Sequence, residues 1–283
     1  MMLRVGRIRY INCYPVYGGI ERGMVPFSGT LVDGIPTELN RLMASGQLDV
    51  SVVSAVEYAK DAERLLLLPE LGITSDGPVR SVVLFSRRDP RDLDGRRVIV
   101  STSSMTSVAL LELLFEHVWR CRPDFVPGNA ELADIGGFER EPHEARLVIG
   151  DAALRLHDEA RRGGIWASRY PFQEDLGAAW KAWTGLPFVF AVWVAQRTTP
   201  VHAALSAHAS LLASRDWGLQ HLDLLAAQAA LSSGVPRASC RAYFDGLDYR
   251  LSYPHLAGLT EFFRRLVLAG RVPDGSLAFL PAA

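Results

Sequence analysis

The stretch Val98–Phe115, VIVSTSSMTSVALLELLF, decides how the rest of the chain is read. Val98, Ile99 and Val100 are a short β-branched run of the kind that makes a buried strand. Ser101, Thr102, Ser103, Ser104, Thr106 and Ser107 then place six hydroxyls within seven positions. Val108, Leu111, Leu114 and Phe115 supply the apolar residues of a helix. A strand that passes through a hydroxyl-rich turn into a helix makes an anion cradle. The first helical N–H groups lack intrahelical partners, the helix dipole turns its positive end there, and serine and threonine add donors. One or two hydroxyls would serve as a cap. Six exceed that need, so Ser103, Ser104, Met105, Thr106 and Ser107 are read as a binding site for a carboxylate or phosphate.

Toward the N-terminus the same order of strand, turn and helix repeats. Residues 3–11 alternate apolar with basic or polar side chains, the pattern of a half-buried first strand. Pro15 disfavours helical geometry at Tyr14, so a turn is predicted there, with Asn12 at the strand's C-terminal end. Leu31-Val32 is a short strand, and residues 36–43 read as a helix ended by Gly46. Residues 49–53 form the next strand, with Ser54 at its end and a helix from Ala55. Residues 65–68 and 79–86 are further strands. This alternation predicts a largely parallel α/β sheet, in which ligands bind at C-terminal strand ends.

The polar run SRRDPRDLDGRR, residues 86–97, is read as the crossing into a second lobe. That lobe continues through the strand 146–149, with Asp151 at its end, and through the loop of residues 128–142. The uniformly apolar run 188–195 is read as the return crossing. The C-terminal part from Val201 has the alanine and leucine periodicity of packed helices. The predicted fold is therefore α/β and two-lobed with two crossing strands. One lobe takes residues 1–86 and 195–283, and the other takes 87–194. The cleft between them would collect Asn12, Ser54, Ser81, the serine cradle and Asp151.

Composition narrows the function classes. The 283 residues carry a formal net charge of −1, which steers the chain toward neither nucleic acid nor an anionic membrane. Cys13, Cys121 and Cys240 are far apart and odd in number, which argues against a disulfide framework and against zinc. No metal is expected, and no glycine-rich dinucleotide fingerprint follows the first strand, so no cofactor is expected either. The first residues show no apolar signal region, and a cytoplasmic location is expected.

Six stretches carry a resemblance when taken together and in order. They are YINCYP, GIPTELNRLMASGQLDVSVVSAVEYA, LLLLPELGITSDGPVRSVVLFS, TSSMTSVALLELL, LVIGDAAL and DLGAAWKAWTGLPFVFAVWVA. From residue 5 to about 268 the chain resembles the chorismate dehydratases of the futalosine route to menaquinone, most weakly in the helical stretch after Thr198. The resemblance implies a fold like that of the type II periplasmic binding proteins. It also implies a lyase that removes water from chorismate to give 3-[(1-carboxyvinyl)oxy]benzoate. The family's functional Asn and Ser fall on Asn12, through YIN, and on Ser81, through VRSV. Position 13 is Cys where many relatives carry Thr. The sister enzyme that makes 1,4-dihydroxy-6-naphthoate shares the fold, but YINCYP departs from its N-terminal pattern.

The chemistry asks for little from the protein. Loss of the C3 proton and C4 hydroxyl aromatises the ring, so the enzyme must orient the substrate, move a proton and help hydroxide leave. None of the seven histidines falls at a predicted strand end. Asp151 does, but it is read first as the N-cap of the helix from Ala152. Asn12 and Ser81 offer hydrogen bonds and no base. The substrate's own enolpyruvyl carboxylate is therefore the expected base, with the cradle holding the ring carboxylate. Trp180, Trp183 and Trp193 are read as core, and Phe188 as a wall of the site. A solute-binding protein that captures a small anion is the alternative from a different class.

Overall fold

The computed structural model describes residues 2–129, 131 and 135–281. Two runs of alternating strand and helix build it. The first holds β1 (Leu3–Ile8), α1 (Tyr14–Glu21), β2 (Gly29–Gly34), α2 (Pro36–Ala44), β3 (Val50–Ser54), α3 (Ala55–Lys60) and β4 (Leu65–Ser75). The second holds β5 (Val82–Ser86), β6 (Arg97–Ser101), α4 (Met105–Leu114), β7 (Asp124–Gly128), α5 (Ile135–Phe138) and β8 (Ala145–Ile149). It continues with α6 (Gly150–Arg161), α7 (Ile165–Arg169), β9 (Phe172–Asp175) and α8 (Leu176–Thr184). β10 (Phe188–Gln196) follows, and then α9 (Val201–Gln220), α10 (Leu222–Ser233), α11 (Arg237–Gly246) and α12 (Tyr253–Leu268).

The strands described form two five-stranded sheets, ordered β2-β1-β3-β10-β4 and β7-β6-β8-β5-β9. β1 runs parallel to β2 and β3, and β6 parallel to β7 and β8. β10 is antiparallel to both of its neighbours, as is β5. Val5, Val50 and Val53 are wholly buried in the first sheet, and Leu84 and Leu147 in the second. Covering both faces with helices explains why these strands read as apolar runs. Trp180 and Trp193 are wholly buried, as core residues should be.

Sheet membership changes at joints that differ from the predicted ones. β4 ends in the first sheet at Ser75 and β5 opens in the second at Val82, so residues 76–81 make the outward crossing. The polar run 86–97 lies wholly within the second lobe, around a 3-10 turn at Pro90–Asp92. A division at 86 therefore falls after β5. A division at 194 falls inside β10, which is a strand of the first sheet between β3 and β4. The return crossing is the short link from Thr184 to Phe188.

Asp175 fixes the outward crossing. Its carboxylate accepts the N–H groups of Val79 at 3.0 Å and Arg80 at 2.6 Å, while also capping α8 through Ala178 N–H at 3.0 Å. Arg80 has φ +64°, a conformation that side chains rarely adopt and that needs such support. Gly177, at the start of α8, leaves no room for a Cβ, which would lie 2.5 Å from the Gly77 carbonyl oxygen.

The N-terminal turn also differs from its prediction. β1 stops at Ile8, and Ile11–Cys13 form a 3-10 turn. Tyr14 is helical, with φ −56° and ψ −42°. Pro15 stands in the first turn of α1, where the missing N–H is not needed for a helical bond. Asn12 still follows the C-terminal end of β1. The loop predicted over 128–142 contains α5, and part of it lies outside the described residues.

Candidate active site

Four chain segments meet beyond the strand ends. The first is the turn after β1. Its Ile11 N–H donates to Asp151 Oδ1 at 3.2 Å, a bond from the first lobe to the second. Asn12 is half-buried, and its side-chain oxygen is fully buried without a hydrogen-bond partner among the described residues. A buried amide oxygen left unpaired costs free energy unless a ligand or water meets it.

The second segment is the start of α6. Asp151 does not cap this helix: the N-cap position is Ile149, with no side-chain cap bond. The carboxylate instead reaches across to Ile11. Burial pushes Asp151 up to about 6, the Ile11 N–H opposes the rise, and the nearby charge of Glu131 adds to it. Gly150, with φ +64°, makes the turn that aims this helix end, and the Tyr10 ring lies 3.7 Å from where its Cβ would stand. Its N–H donates to the Ser81 carbonyl at 2.8 Å.

Ser81, in the outward crossing, is the third. It is 4% exposed, and its Oγ accepts the Tyr243 hydroxyl at 2.7 Å. Tyr243 comes from α11 and carries no local motif that marks it in the sequence.

The serine turn before α4 is the fourth, and much of its hydroxyl capacity is already used. Ser101 Oγ accepts the N–H groups of Ser103 at 3.0 Å and Ser104 at 2.9 Å. Ser104 Oγ caps α4 by accepting Ser107 N–H at 3.4 Å, and it donates to Ser107 Oγ at 2.8 Å. Thr106 Oγ1 accepts Val56 N–H at 2.9 Å, tying α4 to the start of α3 across the lobes. Ser103 is engaged by a carboxylate of the chain. Its hydroxyl donates at 3.0 Å to Glu131 Oε1, and Tyr10 donates to the same oxygen from the other lobe. A carboxylate of the chain itself thus occupies the cradle. Met105 is half-buried, with its sulfur 3.3 Å from Lys60 Nζ.

Two further residues of the predicted site are Ser54 and Phe188. Ser54 caps α3, accepting Glu57 N–H at 3.3 Å. Phe188 is corrected to a core residue. It is 1% exposed and packs edge-on against Trp180, Phe190 and Phe262, because the inward register of β10 turns it toward α8 and α12. A cavity of about 370 Å³ adjoins Asp151 and Cys13, lined on its far side by Gln228 and Ser232, but neither Asn12 nor Ser81 lines it. Among the described residues no group of three or more His, Cys, Asp and Glu is placed to hold a metal. No described helix is long and apolar enough to cross a membrane.

Comparison with known proteins places the chain in a family and a fold. A family described as menaquinone biosynthesis matches residues 3–267. The chorismate dehydratase of Thermus thermophilus is 33% identical over 272 residues, covering 93% of this chain and 95% of the relative. That of Campylobacter jejuni is 27% identical over 195 residues, 66% of this chain and 64% of the relative. In fold, a crystal structure of an Archaeoglobus fulgidus protein is similar with a TM-score of 0.76 at 20% identity, covering 96% of this chain and 98% of its own. The alkanesulfonate-binding protein of Xanthomonas axonopodis pv. citri, bound to MOPS, is similar with a TM-score of 0.66 at 13% identity, covering 98% and 96%. The fold is thus the two-lobed one of the periplasmic binding proteins, and the chain belongs to the menaquinone biosynthesis family that includes the chorismate dehydratases.

Proposed function

We propose that the protein is a lyase that dehydrates chorismate to 3-[(1-carboxyvinyl)oxy]benzoate, with the substrate's side-chain carboxylate as the base. The observation that carries the activity is the 33% identity to a chorismate dehydratase, spread over 95% of that relative's length. A cytoplasmic location belongs to the same proposal.

The residues supply a consistent chemistry. Asn12 and Ser81 bond the enolpyruvyl carboxylate and the departing hydroxyl, and the ring carboxylate displaces Glu131 from Ser103 and meets that hydroxyl and the N-terminal turn of α4. The enolpyruvyl carboxylate folds onto the C3 hydrogen and takes the proton, the C3–H electron pair becomes the new ring double bond, and the C4 hydroxyl leaves with the electrons of the broken C4–O bond, becoming water as it takes up a proton. Aromatisation supplies the thermodynamic drive. The Asp151 carboxylate lies beside the turn that carries Asn12, and its oxygen is engaged by Ile11 N–H. It holds the turn that carries Asn12 in place. Exclusion of water between the lobes strengthens each of these bonds.

The test is incubation of the purified protein with chorismate, followed by mass and absorbance analysis of the products. Appearance of the aromatic enol ether with loss of one water supports the proposal. Chorismate bound but recovered unchanged would make the protein a solute-binding module. Inertness toward chorismate, with turnover of a later intermediate to a dihydroxynaphthoate, would make it the sister synthase.

A further inference from the structure

We propose that Tyr243 is the positioning residue of Ser81, holding the serine hydroxyl so that its own proton points into the cleft toward the substrate's departing hydroxyl. This rests on the reading of Ser81 as the residue that meets that hydroxyl.

The two oxygens are 2.7 Å apart, 162 residues apart in the chain, with Tyr243 donating. Tyr243 is 2% exposed and Ser81 4%, so water does not compete for this bond. A phenol has one proton, and Tyr243 gives its bond to Ser81. A serine hydroxyl has one proton and two lone pairs. With one lone pair committed to Tyr243, the serine proton must point away from the phenol.

The serine backbone is fixed as well. Its carbonyl accepts Gly150 N–H at 2.8 Å, and Asp175 holds the two preceding N–H groups. Backbone and hydroxyl are therefore both set before substrate arrives. Accepting a bond also polarises the serine O–H and makes it a stronger donor. Tyr243 stays protonated throughout: burial pushes its pKa far above the usual phenol range, against the Ser81 bond, and the Asp151 charge adds to the rise. Its part is geometric, and no proton is transferred from it.

The experiment is a double-mutant cycle in the full-length protein with chorismate as substrate, with kcat referred to folded protein. Tyr243→Phe keeps the ring and removes the donor. Its kcat should fall about tenfold, the scale of one lost hydrogen bond, with KM within about twofold and an unchanged pH profile. On Ser81→Ala the same replacement should cost nothing further. On Ser81→Thr, which keeps a hydroxyl, the loss of about tenfold relative to that variant should return. An equal loss on Ser81→Ala would mean that Tyr243 acts by packing, and would overturn the inference. So would a wild-type kcat in Tyr243→Phe while Ser81→Ala is impaired. A wild-type kcat in Ser81→Ala would overturn the reading of Ser81 itself, and the inference with it.

Discussion

At the scale of single residues, Asn12 concentrates the account. Its side-chain oxygen is buried and unpaired among the described residues, one position after an N–H held by Asp151. Asn12→Asp changes almost no volume. It removes the amide donors and sets a charge beside a substrate carboxylate, and an uncompensated buried charge is costly. The variant should lose about 100- to 1,000-fold in kcat/KM, the scale seen when one donor to a developing oxyanion is removed. Steady-state kinetics with chorismate check this, and a loss below about tenfold would contradict it. The place of Asn12 just past the end of β1 was legible from the strand pattern, while its role is what the YIN resemblance implies. Tyr243, Glu131 and Asp175 were not, since each acts on a partner far away in the chain and carries no local pattern of its own.

At the scale of elements, the serine turn shows what periodicity conveys. The strand, turn and helix over residues 97–114 lie where the apolar pattern placed them. The use of the hydroxyls did not follow from the pattern, because their acceptors and donors come from other elements. Thr106 is the clearest case: its hydroxyl serves Val56 N–H from α3. Thr106→Val is close to isosteric and leaves that buried N–H without a partner. It should cost about 1–3 kcal/mol of stability, read from the midpoint of urea unfolding at unchanged slope. An unchanged midpoint would show that the bond contributes nothing. The start of α1 teaches the complementary lesson. A proline suggests a break, yet in a first helical turn its fixed φ suits the helix, so Pro15 begins an element that the local rule would end.

At the scale of the whole molecule, two lobes and the order of most elements were legible, and the joints between lobes were not. Polar composition marked residues 86–97 as a crossing, but polarity marks solvent exposure, and that run lies on the second lobe. The real outward joint is short, and it is defined by what binds it: Asp175 on one side, Tyr243 and Gly150 on Ser81. Asp151 is part of the same joint, because its carboxylate holds Ile11 of the other lobe. Its folded pKa, about 6, stands above the ordinary 3.8. The folded protein therefore binds this proton more tightly than the unfolded chain does. Its contribution to stability is present below pH 4 and is lost as pH rises to about 6, by roughly 2–3 kcal/mol. Denaturant unfolding across that range should show this decline in wild type, and it should be absent in Asp151→Asn.

The same substitution measures the central claim, that the joint holds geometry while the substrate supplies the base. Asparagine keeps an oxygen to accept Ile11 N–H and loses the ability to take a proton. The decisive measurement is the kcat of Asp151→Asn with chorismate above pH 7, beside wild type and with the fold verified by circular dichroism. Turnover should stay within about tenfold of wild type, the scale of one weakened hydrogen bond. Complete loss of turnover in a folded Asp151→Asn protein would contradict it and make Asp151 the base.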